Sequence, residues 1–246
     1  MRFDTIRCVA VMFALSLTLA ACQSSPDQAP DPKTTEATIT EPAEAPTSAP
    51  ASKPAEAGKE GGTLKAGPPP EGMAVATFAG GCFWCMEPPF EKLEGVKDAV
   101  SGYTGGKEEA PSYKQVAYGL TGHTESVQVI YDPKEVSYEE LVEVFWMSMD
   151  PTDDGGQFVD RGSQYRPAIF VHDEAQEKAA EASKAKLIAS ERFGDEEIVV
   201  PIQPAGDFWI AEAYHQDFYK KSSAHYKRYR SGSGRDRFIS RYWGDK

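Results

Sequence analysis

The sequence predicts an α+β domain: a two-layer split βαβ (ferredoxin-like) core with a mostly antiparallel sheet, followed by an extended irregular C-terminal segment. Three observations predict it. Strand and helix patterns succeed one another in the order β-α-β-β-α-β and then α-β. "ESVQVIYDP" alternates Val127, Val129 and Tyr131 with polar neighbours, the period of a half-buried strand. "SYEELVEVFWMSM" spaces Leu141, Val142, Phe145 and Trp146 as a helix face does.

The compact part begins near Glu71, so the catalytic domain is expected over 71–246. "MAVATFAG" reads as a strand that ends in the Gly80–Gly81 turn, and "FEKLEG" as a helix ending at Gly95. "VKDAVSGYTGG" is a second strand closed by glycines; a polar loop separates it from "ESVQVIYDP". Ser137 caps the next helix and Glu140 completes a capping box. "RPAIFVH" is a strand, and Asp173 caps a long helix that stops at Gly194. "EIVVPIQP" is the last clear strand. Residues 208–246 are aromatic and basic with little regular period, so they are expected to wrap the acidic body.

Upstream, "MRFDTIRCVAVMFALSLTLAAC" sets Arg2 and Arg7 before an apolar run from Val9 to Ala21, the layout of an export signal over 1–21. Its end, "LAAC", resembles a bacterial lipoprotein box, which makes Cys22 the lipid-attachment residue; the bland alternative is a plain cleavable signal with an incidental cysteine. Gln23 favours the outer membrane, facing the periplasm. Residues 22–70 are rich in Pro, Ala, Glu, Ser and Thr and lack aromatics, so they read as a disordered tether. No later stretch of the sequence is apolar enough to span a membrane. The chain has 246 residues, 40% of them hydrophobic, which suffices for one domain with a real core. Its formal net charge of −12 argues against a nucleic-acid partner, and a monomer is expected.

With Cys8 leaving in the signal and Cys22 anchored, Cys82 and Cys85 are the thiols of the mature chain, in an oxidising compartment. They stand in "GGCFWCMEPPF". The strand, glycine turn and helix start place Cys82 at a helix N-terminus, where the dipole lowers a thiol pKa. Pro88 and Pro89 complicate that helix: either its first turn is kinked or the regular part starts near Pro88. A structural zinc site needs a second pair or matched histidines, and the histidines at 123, 172, 215 and 225 offer no such pairing, so no metal is expected. A thioredoxin-like dithiol, a nucleophilic thiolate with a resolving partner, and an inert buried pair all remain open on these residues alone.

"AGGCFWCMEPPFEKLEGVKDAVSGYTGG" resembles the peptide-methionine sulfoxide reductases of the A class. The resemblance runs on through "PSYKQVAYGLTGHTESVQVIYDP", "DPTDDGGQFVDRGSQYRPAIF" and "AEAYHQDFYKK", nearly all of 73–240. It implies reduction of the S-epimer of methionine sulfoxide in oxidised proteins, with Cys82 as the nucleophile on sulfur. It further implies that Glu125, in "GHTES", protonates the sulfoxide oxygen and that Tyr113 and Tyr165 hydrogen-bond it. Phe83 and Trp84 match the pocket for the S-methyl group, and Asp160 a polar residue lining the site. Electrons then come from a thioredoxin-like protein or another thiol, with no organic cofactor.

The chemistry asks for these types independently. A sulfoxide oxygen leaves poorly until protonated, and a carboxyl serves near neutral pH when burial raises its pKa. Phenols donate without adding charge, and an aromatic slot suits a methyl group. Attack leaves Cys82 as a sulfenic acid. Taken singly, Glu125 reads as a solvated charge, the two tyrosines as packing residues and Asp160 as a turn former beside Gly162. His123 and His215 are expected to be structural, and "DPTDD" to shape a turn.

One departure stands out. Many members of this family resolve the sulfenic acid with a cysteine in a C-terminal tail, and "SGSGRDRFISRYWGDK" has none. Cys85 is the internal candidate for a disulfide with Cys82; the alternative is that Cys85 packs and an external thiol resolves Cys82. A general dithiol–disulfide oxidoreductase and a non-catalytic surface lipoprotein are the rival function classes.

Overall fold

The computed structural model describes residues 63–244. The expected signal peptide, Cys22 and all but the end of the tether lie outside these residues. The domain extends further upstream than the composition shift at Glu71 indicates. Thr63 is buried and donates to the carbonyl of Pro111, and β1 (Leu64–Lys65) pairs with β9 (Trp209–Ile210).

Between them come β2 (Ala74–Ala79), α1 (Phe83–Glu91), β3 (Val96–Thr104), α2 (Tyr113–Ala117), β4 (Thr124–Tyr131) and α3 (Tyr138–Trp146). A small hairpin of β5 (Gly156–Gln157) and β6 (Asp160–Arg161), a 3-10 turn (Ser163–Tyr165), β7 (Ala168–Val171), α4 (Glu174–Ala189) and β8 (Ile202–Pro204) complete the body. After β9 the chain continues as α5 (Phe218–Lys221), α6 (Ser223–Ser233) and α7 (Arg235–Trp243).

Seven strands form one sheet in the order β1-β9-β3-β4-β2-β7-β8. The sheet is mixed: β7 and β8 run parallel, the other neighbours antiparallel. Helix α4 is the reason, because a helical crossover returns the chain to the same end of the sheet, so the next strand runs parallel. β8 is shorter than the apolar run "EIVVPIQP", since only Ile202–Pro204 reach the ladder.

Local signals explain the helices. Ser137 accepts from the Glu140 N–H and Glu140 reaches back, the full capping box, and Ser112 and Gln115 do the same for the short α2. Asp173 caps α4 through the Gln176 N–H. Helix α2 falls where the sequence suggests only a loop, too short for an apolar period to mark it.

The core sits between the sheet and the helices. Phe78 of β2 stacks on Phe90 of α1 at 5.1 Å and on Phe145 of α3 at 5.2 Å; such pairs add roughly 0.5–1.5 kcal/mol each beyond burial. Glu87 is buried in α1 and accepts from Ser101 Oγ at 2.6 Å and the Asp217 N–H at 2.7 Å, which ties the helix to β3 and to the C-terminal region.

The C-terminal segment is helical, not irregular. Phe238 and Tyr242 lie one turn apart on α7 and pack on Phe193 at 6.1 and 4.8 Å. Gly234, at φ 87°, takes the left-handed turn that ends α6 and begins α7. The basic residues hide this face from a hydropathy pattern because only the aromatic stripe is apolar.

Candidate active site

Cys82 is the N-cap of α1 and Cys85 lies one turn on; both are free, buried thiols. The helix starts at Phe83 and runs through Pro88 and Pro89 without waiting for them. Gly81 makes the preceding turn at φ 82°, and a Cβ there would meet Gln157 Cβ at 2.4 Å.

Glu125, the second residue of β4, is 2% exposed and faces this turn. Its Oε2 accepts from the Phe83 N–H at 3.1 Å. Burial pushes the carboxyl up to about 8, against that hydrogen bond and with Asp160 and Cys85 raising it further. The group therefore keeps its proton at neutral pH.

The helix-dipole expectation for Cys82 is overturned. Its thiol is pushed well up, first by burial, then by the Cys85 thiol and the charges of Glu125 and Asp160. Desolvation of a fully buried sulfur outweighs one helix end. The lowered thiol is Cys85, brought to about 7 by its contact with Cys82 and by Arg235 and Arg230, against burial.

The remaining residues singled out by the sequence converge on this turn. Tyr113 opens α2 and its N–H donates to Glu212 Oε1 at 2.9 Å; Tyr165 ends the 3-10 turn. Burial raises both phenols, with Glu125 and Cys82 close enough to add to it, so both stay protonated donors. Trp84 stacks flat on Phe218 at 3.8 Å and donates Nε1–H to His215 Nδ1 at 3.1 Å. Phe83 packs on His215 at 4.9 Å and on Tyr103 at 5.9 Å. Asp160, at the start of β6, accepts from the Tyr229 hydroxyl, which also sits beside the Cys82 thiol.

Phe218 and Tyr229 are not legible in the sequence, and His215, expected to be structural, packs against Phe83, Trp84 and Tyr113. His215 is 1% exposed and burial lowers it to about 3, so it is neutral. An indole only donates, so Nδ1 accepts and the proton is on Nε2, which has no hydrogen-bond partner among the described residues and faces Glu212 Oε2 at 3.9 Å. Phe218 and Tyr229 come from α5 and α6; the i, i+4 spacing of His225 and Tyr229 is the signal that marks the inner face of α6. His123 accepts from the Gly106 N–H through Nδ1 and donates Nε2–H to the Glu108 carbonyl, a structural role. In "DPTDD", Asp150 accepts from the Thr152 N–H and hydroxyl, a turn-forming contact.

Fold and site together define a thiol oxidoreductase: two buried cysteines one helical turn apart, a protonated carboxyl beside them and an aromatic wall. A family model described as "Peptide methionine sulfoxide reductase" matches residues 74–246, and the chain belongs to that family. The peptide methionine sulfoxide reductase MsrA of Bacillus subtilis (strain 168) is 55% identical over 176 residues, 72% of this chain and 99% of that protein. The MsrA of Listeria monocytogenes serotype 4a (strain HCC23) is 56% identical over 173 residues, 70% of this chain and 97% of its own. The fold is similar to the crystal structure of Mxr1 from Saccharomyces cerevisiae in reduced form, with TM-score 0.59 and 33% identity over 63% of this chain and 88% of that one.

Proposed function

We propose that the chain reduces the S-epimer of methionine sulfoxide in oxidised proteins by attack of Cys82 on sulfur, with Glu125 as the acid. The observation that carries this reading is the Phe83 N–H to Glu125 bond, which sets a buried, protonated carboxyl one residue from the thiol. The Cys82 proton leaves to solvent and yields the thiolate; its electron pair forms the S–S bond while Glu125 passes a proton to the sulfoxide oxygen and is reprotonated from solvent afterwards. The substrate S–O bond and the new S–S bond then break as the hydroxyl oxygen bonds to Cys82 sulfur, which frees methionine with the S–S electron pair on its sulfur and leaves a sulfenic acid. Tyr113 and Tyr165 donate to the oxygen, and Phe83 and Trp84 flank the S-methyl group. Asp160, held by Tyr229, lines the site.

Regeneration runs through Cys85 to a Cys82–Cys85 disulfide, supported by the free, interacting thiols one turn apart. A thioredoxin-like dithiol then reduces the disulfide, with no organic cofactor or metal. Export as a lipoprotein through Cys22 fits such a donor on the periplasmic side. The central order β3-β4-β2-β7, linked β2-α1-β3-β4-α3-β7, supports the split βαβ, ferredoxin-like reading of the core.

The test is incubation of the chain with racemic N-acetyl-methionine sulfoxide and excess dithiothreitol, followed by separation of the diastereomers. Consumption of the S-sulfoxide alone, abolished in Cys82→Ser, is expected. Consumption of neither isomer would transfer the reading to a general dithiol–disulfide oxidoreductase.

A further inference from the structure

The two prolines of α1 have a consequence at Cys85. A helical carbonyl accepts from the N–H four residues on, and for Cys85 that residue is Pro89, which has none. The orphaned carbonyl accepts instead from Arg230 Nη1 of α6 at 3.1 Å. The guanidinium is itself half enclosed, held by Asp236 at 2.7 Å and by Tyr226 at 3.2 Å.

A second arginine grips the other end of the motif. Arg235, at the start of α7, is 1% exposed and donates to the carbonyls of Gly80 at 3.1 Å and Ser148 at 2.5 Å. It lies over the Phe158 ring at 4.6 Å, and among the described residues its Nε has no hydrogen-bond partner. Among the described residues no carboxylate pairs with Arg235 within ion-pair distance. A buried cation without a directly paired carboxylate is costly; Asp160 feels its charge from a distance, and the site favours a further anion forming nearby.

We propose that Arg230 and Arg235 are positioning residues for regeneration: they clamp the Gly80–Cys85 segment from the C-terminal helices and set positive charge beside Cys85, so that Cys85 attacks the oxidised Cys82. The inference rests on the proposed role of Cys85 as resolver. In that step the Cys85 thiolate forms the S–S bond as the Cys82 S–O bond breaks. The departing oxygen takes a proton, in addition to the one it carries, and leaves as water. Cys85 sulfur is oxidised and Cys82 sulfur reduced. The tail that lacks a resolving cysteine thus still serves regeneration.

The groups facing Cys85 are Cys82 on its own turn, Glu125 of β4, Asp160 of β6, Tyr226 and Arg230 of α6 and Arg235 of α7. The two cations lower the Cys85 thiol and Asp160 opposes them. Removing one cation therefore moves its titration upward. Each unit of upward shift cuts the thiolate about tenfold at a pH below it.

The full chain is mixed with methionine sulfoxide and no reductant, quenched over time and weighed by peptide mass, at several pH values. In the wild type, release of one methionine is expected to be followed by loss of two hydrogens across the Cys82–Cys85 peptide. In Arg230→Met the first methionine should appear at the wild-type rate. The disulfide should then form about tenfold more slowly at neutral pH, with its pH midpoint moved up. Arg230→Lys and Arg235→Lys, which keep the charge, should restore the midpoint. Wild-type protein that gains one oxygen and never loses two hydrogens overturns Cys85 as resolver, and the inference with it. Disulfide formation in Arg230→Met with unchanged rate and midpoint overturns the inference alone.

Discussion

The Phe83 N–H donates to Glu125 Oε2 at 3.1 Å, joining the first turn of α1 to the start of β4. By itself this bond to a helix-end N–H favours the carboxylate. Burial outweighs it and lifts the carboxyl to about 8. The result is a carboxyl that stays protonated at neutral pH, fixed one residue from the Cys82 thiol.

Replacing Glu125 with Gln keeps the shape and removes the proton. The single-turnover rate of methionine formation should fall by roughly 10²–10⁴-fold, the usual worth of a positioned acid. Glu125 charge also raises Cys82, so Cys82 should alkylate at lower pH in the variant. Peptide-resolved alkylation by iodoacetamide across pH measures this; an unchanged Cys82 midpoint would contradict it.

Stability should fall as pH rises above the carboxylate range. Burial raises Glu125 and Glu87 from the ordinary carboxyl value near 4.5 to about 8 and about 7, so between these limits the folded chain binds more protons than the unfolded one. Their stabilising effect is full below the unfolded pKa and is lost as pH climbs through the folded values. Thermal melts from mildly acidic to mildly alkaline pH should show this decline, and Glu125→Gln should flatten part of it.

Tyr229 and Asp160 act as a unit, because the phenol is the donor that satisfies the half-buried carboxyl. Tyr229→Phe should cost about 1–3 kcal/mol, the penalty of leaving such a group unpaired. Asp160→Asn in the same background should add less than it does alone, and a double-mutant cycle by denaturant melts would reveal the coupling. Strict additivity would place the two apart.

The capping box of α3 offers a control far from the chemistry. Ser137→Ala removes the cap on the Glu140 N–H and should lower stability by about 1 kcal/mol while leaving turnover intact. Urea melts alongside an activity assay check both halves.

Capping residues and strand alternation carry local information, which is why Ser137, Glu140, Asp173 and the β4 run could be placed from the sequence. Cys82 and Glu125 stand out in the sequence through motif resemblance, not through period, and the fold brings the two together. What escaped was long-range: α6 and α7 bury aromatic and arginine side chains against the body, and Arg230 answers a carbonyl orphaned by Pro89, 145 positions apart in the sequence from Cys85. The fall of the Cys85 thiol and the rise of Cys82 likewise depend on burial and on cations that only the fold brings near.

The most direct test of the account is a single turnover without reductant, on wild type, Cys85→Ser and Cys82→Ser, with methionine counted per chain. Wild type and Cys85→Ser should each form one methionine per chain, with one added oxygen on the Cys82 peptide of Cys85→Ser, and Cys82→Ser should form none. Methionine formed by Cys82→Ser, or oxidation located away from Cys82, would contradict it.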